Sequence, residues 1–368
     1  MSVHKLSILG FTLRRSIAVS FACIGPAAIL AACLAASAQM PLPSITPPSQ
    51  SIKLDVVVHT KSGQPVNSLR QQDFTVLDNK TPRPIKSFKI MTPAQEPVHV
   101  ILFIDAVNTP YQMVAYVRQG VAKFLTAREG ALTLPTTIAV LTDQGAQIDS
   151  AFSIDGNALN DGLQQHQIGL RDINRSSEWG GPERLQICIN AFHQLLGFAS
   201  TLPGRKIILW ISPGWPLVSG PEVYLSSKDE QQTFDTIVSF SSQMRQNNVT
   251  LYNINPVGVG ESLERTDYFE TFLSGVAKPN QVQLGDLGLQ VFAIHSGGLA
   301  LESNSDVTGM IQKCLSDAQS WYEITFDPAP AETPNEYHHI EIKLDQRDLI
   351  ARTRDSYYAN QRIIEPGH

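Results

Sequence analysis

Cysteine is scarce in this sequence. The 368 residues contain four cysteines, and two of them, Cys23 and Cys33, lie in the apolar N-terminal segment. Cys188 and Cys314 remain for the body of the chain, each on the apolar stripe of a predicted helix. This placement is typical of small buried core residues. A disulfide between the two stays open as an alternative, because an exported chain can oxidise its thiols.

An excess of basic charge is also missing. The chain has 28 Lys and Arg against 34 Asp and Glu, a net charge of −6, and only 17% of its residues are charged. This mildly acidic balance argues against nucleic acid as a partner, because a dedicated binder needs a basic stripe. With 42% hydrophobic residues, the composition predicts a chain that buries a full core and forms about two domains.

Catalytic motifs are absent as well. The sequence contains no His-Glu-x-x-His, Gly-x-Ser-x-Gly, phosphate-binding glycine loop or Cys-x-x-Cys, the patterns that mark common hydrolases and cofactor sites. His338 and His339 are adjacent, but strand alternation puts their rings on opposite faces. We expect one ring to be packed and the other solvated. The sequence therefore favours a protein that is not an enzyme, with an extracytoplasmic hydrolase as the alternative.

Residues 1–38 have the pattern of a signal peptide. Basic residues are followed by an apolar stretch and by the small-residue site Ala36-Ser37-Ala38, which predicts a secreted or periplasmic, cell-envelope protein. The alternative is a lipoprotein, because Leu30-Ala31-Ala32-Cys33 would allow acylation of Cys33. In either case we expect contact with a membrane only through a leader or a lipid anchor. Residues 39–50 contain four prolines and predict an extended linker.

The rest of the chain changes pattern twice. Residues 51–96 alternate as strands and predict an N-terminal β module. Residues 97–327 alternate buried strands with amphipathic helices, which predicts an α/β domain with a doubly wound, mostly parallel sheet. Residues 328–368 return to strands. These strands are too few to stand alone, so we expect them to complete the flanking β module begun by the N-terminal strands.

The most informative stretch runs from Val98 to Thr109. Its apolar run predicts a strand buried on both faces, and this run ends abruptly at Asp105. Ligands of open α/β sheets bind at the carboxyl ends of the strands, so the polar cluster at Asp105, Asn108 and Thr109 is a candidate site. The alternative is that Asp105 and Thr109 only cap the helix that begins near Pro110.

Four stretches carry a resemblance to a known family. They are Gln71-Gln72-Asp73-Phe74-Thr75-Val76, Ile104-Asp105-Ala106-Val107-Asn108-Thr109, Leu202-Pro203-Gly204-Arg205-Lys206 and Ser320-Trp321-Tyr322-Glu323-Ile324-Thr325-Phe326. Together with the order of strands and helices, they resemble the von Willebrand factor type A domain. The chain is most similar to the VWFA-related proteins that acidobacteria and other bacteria secrete. The resemblance covers most of residues 51–360 and implies a von Willebrand factor A-like fold.

The resemblance also implies a metal-ion-dependent adhesion site, which this sequence matches only in part. Type A domains hold Mg²⁺ through Asp-x-Ser-x-Ser, a distant Thr and a later Asp. Here Asp105 and Thr109 remain, but Val107 replaces the first serine and the later loop reads Ser212-Pro213-Gly214. Ser176 or Ser177 could replace the distant Thr. Because Mg²⁺ needs several oxygen ligands, we expect a degenerate site with no cofactor, with Asp105 and Thr109 as vestigial ligands and weak Mg²⁺ binding as the alternative.

An exported adhesion or scaffolding module is the function that the resemblance implies. Its partner would be a protein, bound where the loops after the sheet strands converge. The candidate partner-binding residues are Asp105, Asn108, Thr109, Trp179, Ser212 and Trp215. The two tryptophans are either exposed anchors for the partner or side chains packed onto their own scaffold.

Overall fold

The computed structural model describes residues 51–165, 180–216, 225–257, 268–302 and 306–359. All of them belong to one compact unit, which spans residues 48–368. The predicted signal peptide (1–38), the predicted linker (39–50) and the candidate residues Ser176, Ser177 and Trp179 lie outside the described residues. In the described part of the chain, no helix is both long and apolar enough to cross a membrane.

Strands and helices alternate in the middle of the chain, and strands occupy both ends. The strands are β1 (Ile52–Thr60), β2 (Phe74–Asp78), β3 (Thr81–Arg83), β4 (Ile85–Met91), β5 (Val98–Asp105), β6 (Ala131–Thr142), β7 (Gly145–Ile148), β8 (Ser153–Asp155), β9 (Arg205–Ile211), β10 (Val249–Ile254), β11 (Ala300–Leu301), β12 (Trp321–Phe326), β13 (Glu336–Leu344), β14 (Leu349–Arg352) and β15 (Ser356–Ala359). The α-helices are α1 (Tyr111–Thr126), α2 (Gly156–Gln165), α3 (Gly181–Ser200), α4 (Ser227–Gln246), α5 (Leu289–His295) and α6 (Val307–Ser316).

The central sheet is mostly parallel. Its order is β11-β10-β9-β5-β6-β7, and β8 pairs with β6 at the same edge. Strands β11, β10, β9, β5 and β6 run parallel to their neighbours, whereas β7 and β8 are antiparallel to β6. Strand β5 lies between β9 and β6 in the middle of the sheet, and helices cover both of its faces. This position explains why its sequence is an almost unbroken apolar run.

Side chains of β5 alternate between two cores. Ile101 and Phe103 face a core shared with α3, α4 and α5. Leu102 and Ile104 face the opposite core, which is shared with α1, α2 and α6. Full burial of one such side chain contributes about 1.5–3 kcal/mol. The mixed α/β architecture with helices on both faces of a mostly parallel sheet agrees with the predicted fold class at this level.

The terminal segments form a sandwich of two antiparallel sheets. One sheet has the order β14-β1-β12-β4 and the other has the order β15-β13-β2-β3. Their facing side chains make a third core, to which Leu54 and Ile324 contribute from one sheet and Val76 and Ile340 from the other. Strand β13 thus pairs with β2 and strand β14 with β1, both near the N-terminus, and β15 pairs with β13.

Strand β12 lies in a different place from the one that the sequence predicted. The predicted α/β domain extended to residue 327 and included this strand, but β12 pairs with β1 and β4 inside the sandwich. The physical reason is its alternation. Tyr322, Ile324 and Phe326 point into the sandwich core, whereas Glu323 points to the other face of its sheet and forms ion pairs with Lys53 and Lys89.

A buried carboxylate joins the sandwich to the α/β unit. Asp317 follows α6, and its Oδ2 accepts hydrogen bonds from Tyr252 Oη (2.7 Å) and from Arg352. Its Oδ1 lies 3.3 Å from His59 Nε2 on β1. The Asp317 carbonyl oxygen accepts a hydrogen bond from Arg205 Nη1 (3.0 Å). Asp317 therefore contacts both the sandwich and the α/β unit, and its bonds hold the two together.

The turn between α3 and β9 requires the glycine of the stretch Leu202-Pro203-Gly204-Arg205-Lys206. Gly204 has a φ of +69°, and a Cβ at this position would collide with the Pro97 carbonyl oxygen. That same oxygen accepts a hydrogen bond from the Arg205 backbone N–H (2.9 Å). Glycine is required here both for the left-handed backbone and for the close approach of the chain before β5.

Candidate functional site

Asp105 ends β5 and is completely buried. Its Oδ1 accepts hydrogen bonds from the backbone N–H groups of Val107 (2.9 Å) and Asn108 (2.8 Å). These bonds close the turn that follows the strand. Helix α1 begins one residue after its N-cap Pro110 and has no side-chain cap. Asp105 therefore stabilises the loop between β5 and α1. It does not cap helix α1, so the alternative interpretation of Asp105 as a helix cap is wrong.

The second carboxylate oxygen of Asp105 is surrounded by side-chain donors. Oδ2 accepts from Asn108 Nδ2 (2.8 Å), Trp210 Nε1 (3.2 Å) and Ser212 Oγ (2.8 Å). Together the two oxygens accept five hydrogen bonds, and a carboxylate offers about four lone-pair sites. The surrounding chain has thus satisfied the hydrogen-bonding capacity of this group.

Burial and hydrogen bonding act on Asp105 in opposite directions. Burial raises the pKa of the Asp105 carboxyl, because the charged form loses its hydration. Hydrogen bonds from Asn108, Ser212 and Trp210 lower that pKa and offset part of the effect. The net pKa is raised above its usual value. A buried carboxylate of this kind keeps its place only while its donors are present.

The neighbouring thiol is buried in the same network. Asn108 Nδ2 donates to Cys188 Sγ (3.0 Å) as well as to Asp105. Burial and the charge of Asp105 raise the pKa of the Cys188 thiol well above its usual value, which disfavours the reactive thiolate. Cys314 is also a free thiol, and it belongs to the core on the other face of the sheet. The two cysteines pack separately and form no disulfide in the structure.

Ser212 and Trp215 follow β9 and point inward. Ser212 is fully buried, and its Oγ also accepts a hydrogen bond from the Gly214 backbone N–H (3.1 Å). Trp215 is 5% exposed and makes edge-on ring contacts with Phe192 (5.7 Å between centroids) and Trp210 (5.3 Å). Of the two roles considered for this tryptophan, packing onto its own scaffold is the one that the structure shows.

Burial therefore corrects the predicted set of partner-contacting residues. The side chains of Asp105, Thr109, Ser212 and Trp215 are all buried and cannot touch a partner. Asn108 is half-buried, but its Nδ2 is used internally and its Oδ1 is buried. The physical reason is the same throughout: these polar groups satisfy one another beneath the loop instead of facing solvent.

The residues present do not fit a magnesium ion. Each oxygen of Asp105 already accepts at least two hydrogen bonds from the chain, whereas Mg²⁺ requires free oxygen lone pairs in octahedral geometry. The Val107 side chain lies in an apolar core and supplies no oxygen. Across the residues that the structure describes, no group of three or more His, Cys, Asp or Glu side chains is arranged to hold a metal.

One participant in this site was not identified from the sequence. Trp210 lies in the apolar run of β9, and that run predicts only a core side chain. In the structure its indole N–H donates a hydrogen bond to Asp105 on the neighbouring strand. The signal was available, because a parallel β9 beside β5 brings the ends of both strands to one edge. Tyr111 was not singled out from the sequence either, and it donates none of the five hydrogen bonds that Asp105 accepts from the described part of the chain. It opens α1 directly after the loop and is 58% exposed.

Comparisons with known proteins give weak likenesses only. No protein-family model and no curated protein matches the sequence. Among solved structures, an aerotolerance-related membrane protein from Bacteroides fragilis is 11% identical with a TM-score of 0.32, over 60% of this chain and 98% of that one. The manganese-loaded TRAP protein of Plasmodium vivax is 8% identical with a TM-score of 0.32, over 73% of this chain and 96% of that one.

A pilus adhesin gives a likeness of the same order. SpaC from Lactobacillus rhamnosus GG is 8% identical with a TM-score of 0.35, and the match covers 77% of this chain but only 48% of the adhesin. TM-scores and identities at this level establish neither a shared family nor a shared function. What the chain does is therefore inferred from its own residues.

Proposed function

We propose that the chain is an exported protein-interaction module that works without a metal ion. Its α/β unit would be a von Willebrand factor A-like domain, and its strand-end site a degenerate metal-ion-dependent adhesion site. The observation that carries the proposal is the Asp105 carboxylate. Its five hydrogen bonds come from the chain itself, so the group that holds the ion in a type A domain here holds the loop instead.

The same observation disfavours the hydrolase alternative. A general base or nucleophile must reach the substrate with a free lone pair. Asp105 is completely buried and its lone pairs are taken. The Cys188 thiol beside it has a raised pKa and lies in an apolar core, so it lacks the thiolate character that nucleophilic catalysis needs.

Export is supported by the N-terminal sequence. A basic segment, an apolar segment and Ala36-Ser37-Ala38 stand in the order of a signal peptide. Mass spectrometry of the mature protein tests this part of the proposal. A first residue of Gln39 supports secretion, and an acylated first residue at Cys33 supports a lipoprotein. An intact Met1 in the cytoplasm contradicts both.

Among the described residues at this edge of the sheet, Tyr111 is an exposed side chain that a partner can reach. It is 58% exposed and follows the loop that Asp105 holds, so a rigid base presents it to solvent. Tyrosine offers a large apolar ring with a polar hydroxyl, and such side chains recur at the energetic centres of interfaces. In this arrangement the buried hydrogen bonds position the loop, and the exposed ring contacts the partner protein.

Site-specific photo-crosslinking tests this surface. A photoreactive phenylalanine analogue replaces Tyr111 in the cell of origin, and the same analogue replaces Ile154 as a matched control. Ile154 is 61% exposed on β8, outside the loop held by Asp105. We expect a discrete adduct of defined mass from position 111 and none of that mass from position 154. Identical adduct patterns from the two positions would contradict the assignment.

A further inference from the structure

A polar cavity lies at the opposite edge of the α/β sheet, where its parallel strands begin. Its volume is about 310 Å³, the space of about ten water molecules at roughly 30 Å³ each. Asp55 of β1 lines it from the sandwich, and Arg205 at the start of β9 and Arg245 in the last turn of α4 line it from the α/β unit. Arg354, just before β15, completes the set.

Positive charge is in excess in this cavity. Lys53 also lines it, but this ammonium is neutralised by Glu96 (3.1 Å) and Glu323 (2.8 Å). Of the described carboxylates that line the cavity, Asp55 then remains for the three arginines. Arg205 Nε lies 3.5 Å from Asp55 Oδ2, and within the described residues no carboxylate comes within 4 Å of Arg245 or Arg354. Buried cations of this kind are costly unless an anion compensates them.

The pKa of the Arg354 guanidinium reflects this excess of positive charge. It is only 9% exposed, and burial followed by the nearby charge of Arg245 lowers the pKa of Arg354 to about 10. The carboxylates of Asp55 and Asp355 act in the opposite direction but do not compensate. Asp355 is itself engaged by His295 Nδ1 at 2.7 Å. The cavity therefore has a positive potential that an anion would relieve.

Donors and an acceptor in this cavity both lack partners. Among the described residues, Arg205 Nε and Arg245 Nε find no hydrogen-bond acceptor although both are buried. Both oxygens of the Asp55 carboxylate are likewise buried with no donor in the described part of the chain, and the Asp55 side chain is only 7% exposed. Arg205 Nε and Asp55 Oδ2 are 3.5 Å apart and form an ion pair, but their geometry is not that of a hydrogen bond. Because buried polar groups in native proteins are nearly always satisfied, a complementary ligand would need acceptors for the arginines and a donor for the carboxylate.

We propose that this cavity binds inorganic phosphate, with the three arginines donating to its oxygens and Asp55 accepting its O–H. The planar guanidinium group matches the spacing of phosphate oxygens. At neutral pH inorganic phosphate carries negative charge and retains at least one O–H. Sulfate has the same shape but no proton to donate, so the Asp55 carboxylate would repel it.

The protonation state of the ligand separates free phosphate from a phosphate ester. A phosphomonoester has a second pKa of about 6, so its dianion has no O–H at pH 7.5. We therefore expect the site to prefer inorganic phosphate to methyl phosphate, whose dianion has no O–H at this pH. A bound anion would also join the sandwich to the α/β unit and stabilise the folded chain in proportion to its occupancy.

Calorimetric titration at constant ionic strength tests the proposal. The purified protein is titrated with inorganic phosphate, sulfate and methyl phosphate at pH 7.5. We expect phosphate to bind about ten-fold more tightly than either of the others, the difference that one buried charge-assisted hydrogen bond makes. The Asp55→Asn variant keeps the shape and gains an N–H donor, so it should lose this preference and bind sulfate at least as tightly as phosphate.

Two arginine variants complete the design. Arg245→Gln should weaken phosphate binding about ten- to one-hundred-fold. Arg347→Gln removes an exposed arginine outside the cavity and should leave phosphate binding unchanged. Circular dichroism confirms that each variant is folded. No saturable binding of phosphate by the wild-type protein would overturn the proposal, as would equal binding of phosphate and sulfate or equal weakening by the two arginine variants.

Discussion

The indole N–H of Trp210 donates a hydrogen bond to Asp105 Oδ2 across 3.2 Å. This bond joins β9 to β5 near the carboxyl edge of the sheet, where the backbones already run in parallel register from Val98 beside Arg205 to Ile104 beside Ile211. Here the neighbouring strand and the loop supply hydrogen-bond donors to that carboxylate.

Replacement of Asp105 by asparagine should destabilise the fold. In Asp105→Asn an amide NH₂ would face Asn108 Nδ2 and Trp210 Nε1, so donors would meet donors. Leaving such buried groups unsatisfied costs about 2–3 kcal/mol. Urea denaturation followed by tryptophan fluorescence measures the loss. Asp161→Asn, at an exposed position on α2, is the control and should change stability by less than about 0.5 kcal/mol. Equal stability of the two variants would show that the network is unimportant.

The sandwich should depend on its last strands. Ile340 of β13 is 3% exposed and packs into the core between the two sheets, whereas its neighbour Glu341 is exposed. Ile340→Ala should lower the free energy of unfolding by about 2–4 kcal/mol and accelerate amide exchange in β2, the strand that pairs with β13. Glu341→Ala should do neither. Unchanged exchange at Val76 in Ile340→Ala would argue against the shared core.

Acid should weaken the sandwich through Asp78. Burial alone would raise the pKa of this carboxyl, but hydrogen bonds from His338, the Ala329 backbone and Tyr357 outweigh it, and the pKa is lowered. A carboxyl whose folded pKa is depressed stabilises the fold fully above its unfolded pKa of about 3.9. That contribution disappears as the pH falls through the lower folded value.

The pH dependence of Asp78→Asn measures this contribution. We expect the variant to be less stable than the wild type at pH 7, with the difference shrinking between about pH 4 and pH 2. Denaturant titrations across this range give the two curves, and Asp345→Asn, at an exposed site, is the control. A difference between Asp78→Asn and wild type that stays constant down to pH 2 would rule out this role.

Much of the architecture was readable from local patterns. The apolar run of β5 and its termination at Asp105 follow directly from the sequence, and so does the alternation of β13, in which His338 is buried and His339 exposed. These features depend on periodicity within one element. Local patterns also identified Asp105 and Ser212 as members of one site, because both follow parallel strands.

What the sequence did not disclose depends on contacts between distant segments. Local alternation in β12 fits a strand of either unit, and only its pairing with β1 and β4 places it in the sandwich. Trp215 follows a strand in a loop, and its burial arises from three aromatic neighbours contributed by other elements. The approach of Asp55 to Arg205 joins positions 150 residues apart and leaves no trace in either local sequence.

Titration of the purified protein with Mg²⁺ and Mn²⁺ by calorimetry tests the central claim most directly. Because the chain itself supplies all the partners of the Asp105 carboxylate, we predict no saturable binding of either ion in the micromolar range. Asp105→Asn and Asp161→Asn serve as matched variants, and both should, like the wild type, show no saturable binding of Mg²⁺ or Mn²⁺. Micromolar binding that Asp161→Asn retains and Asp105→Asn abolishes would contradict the account.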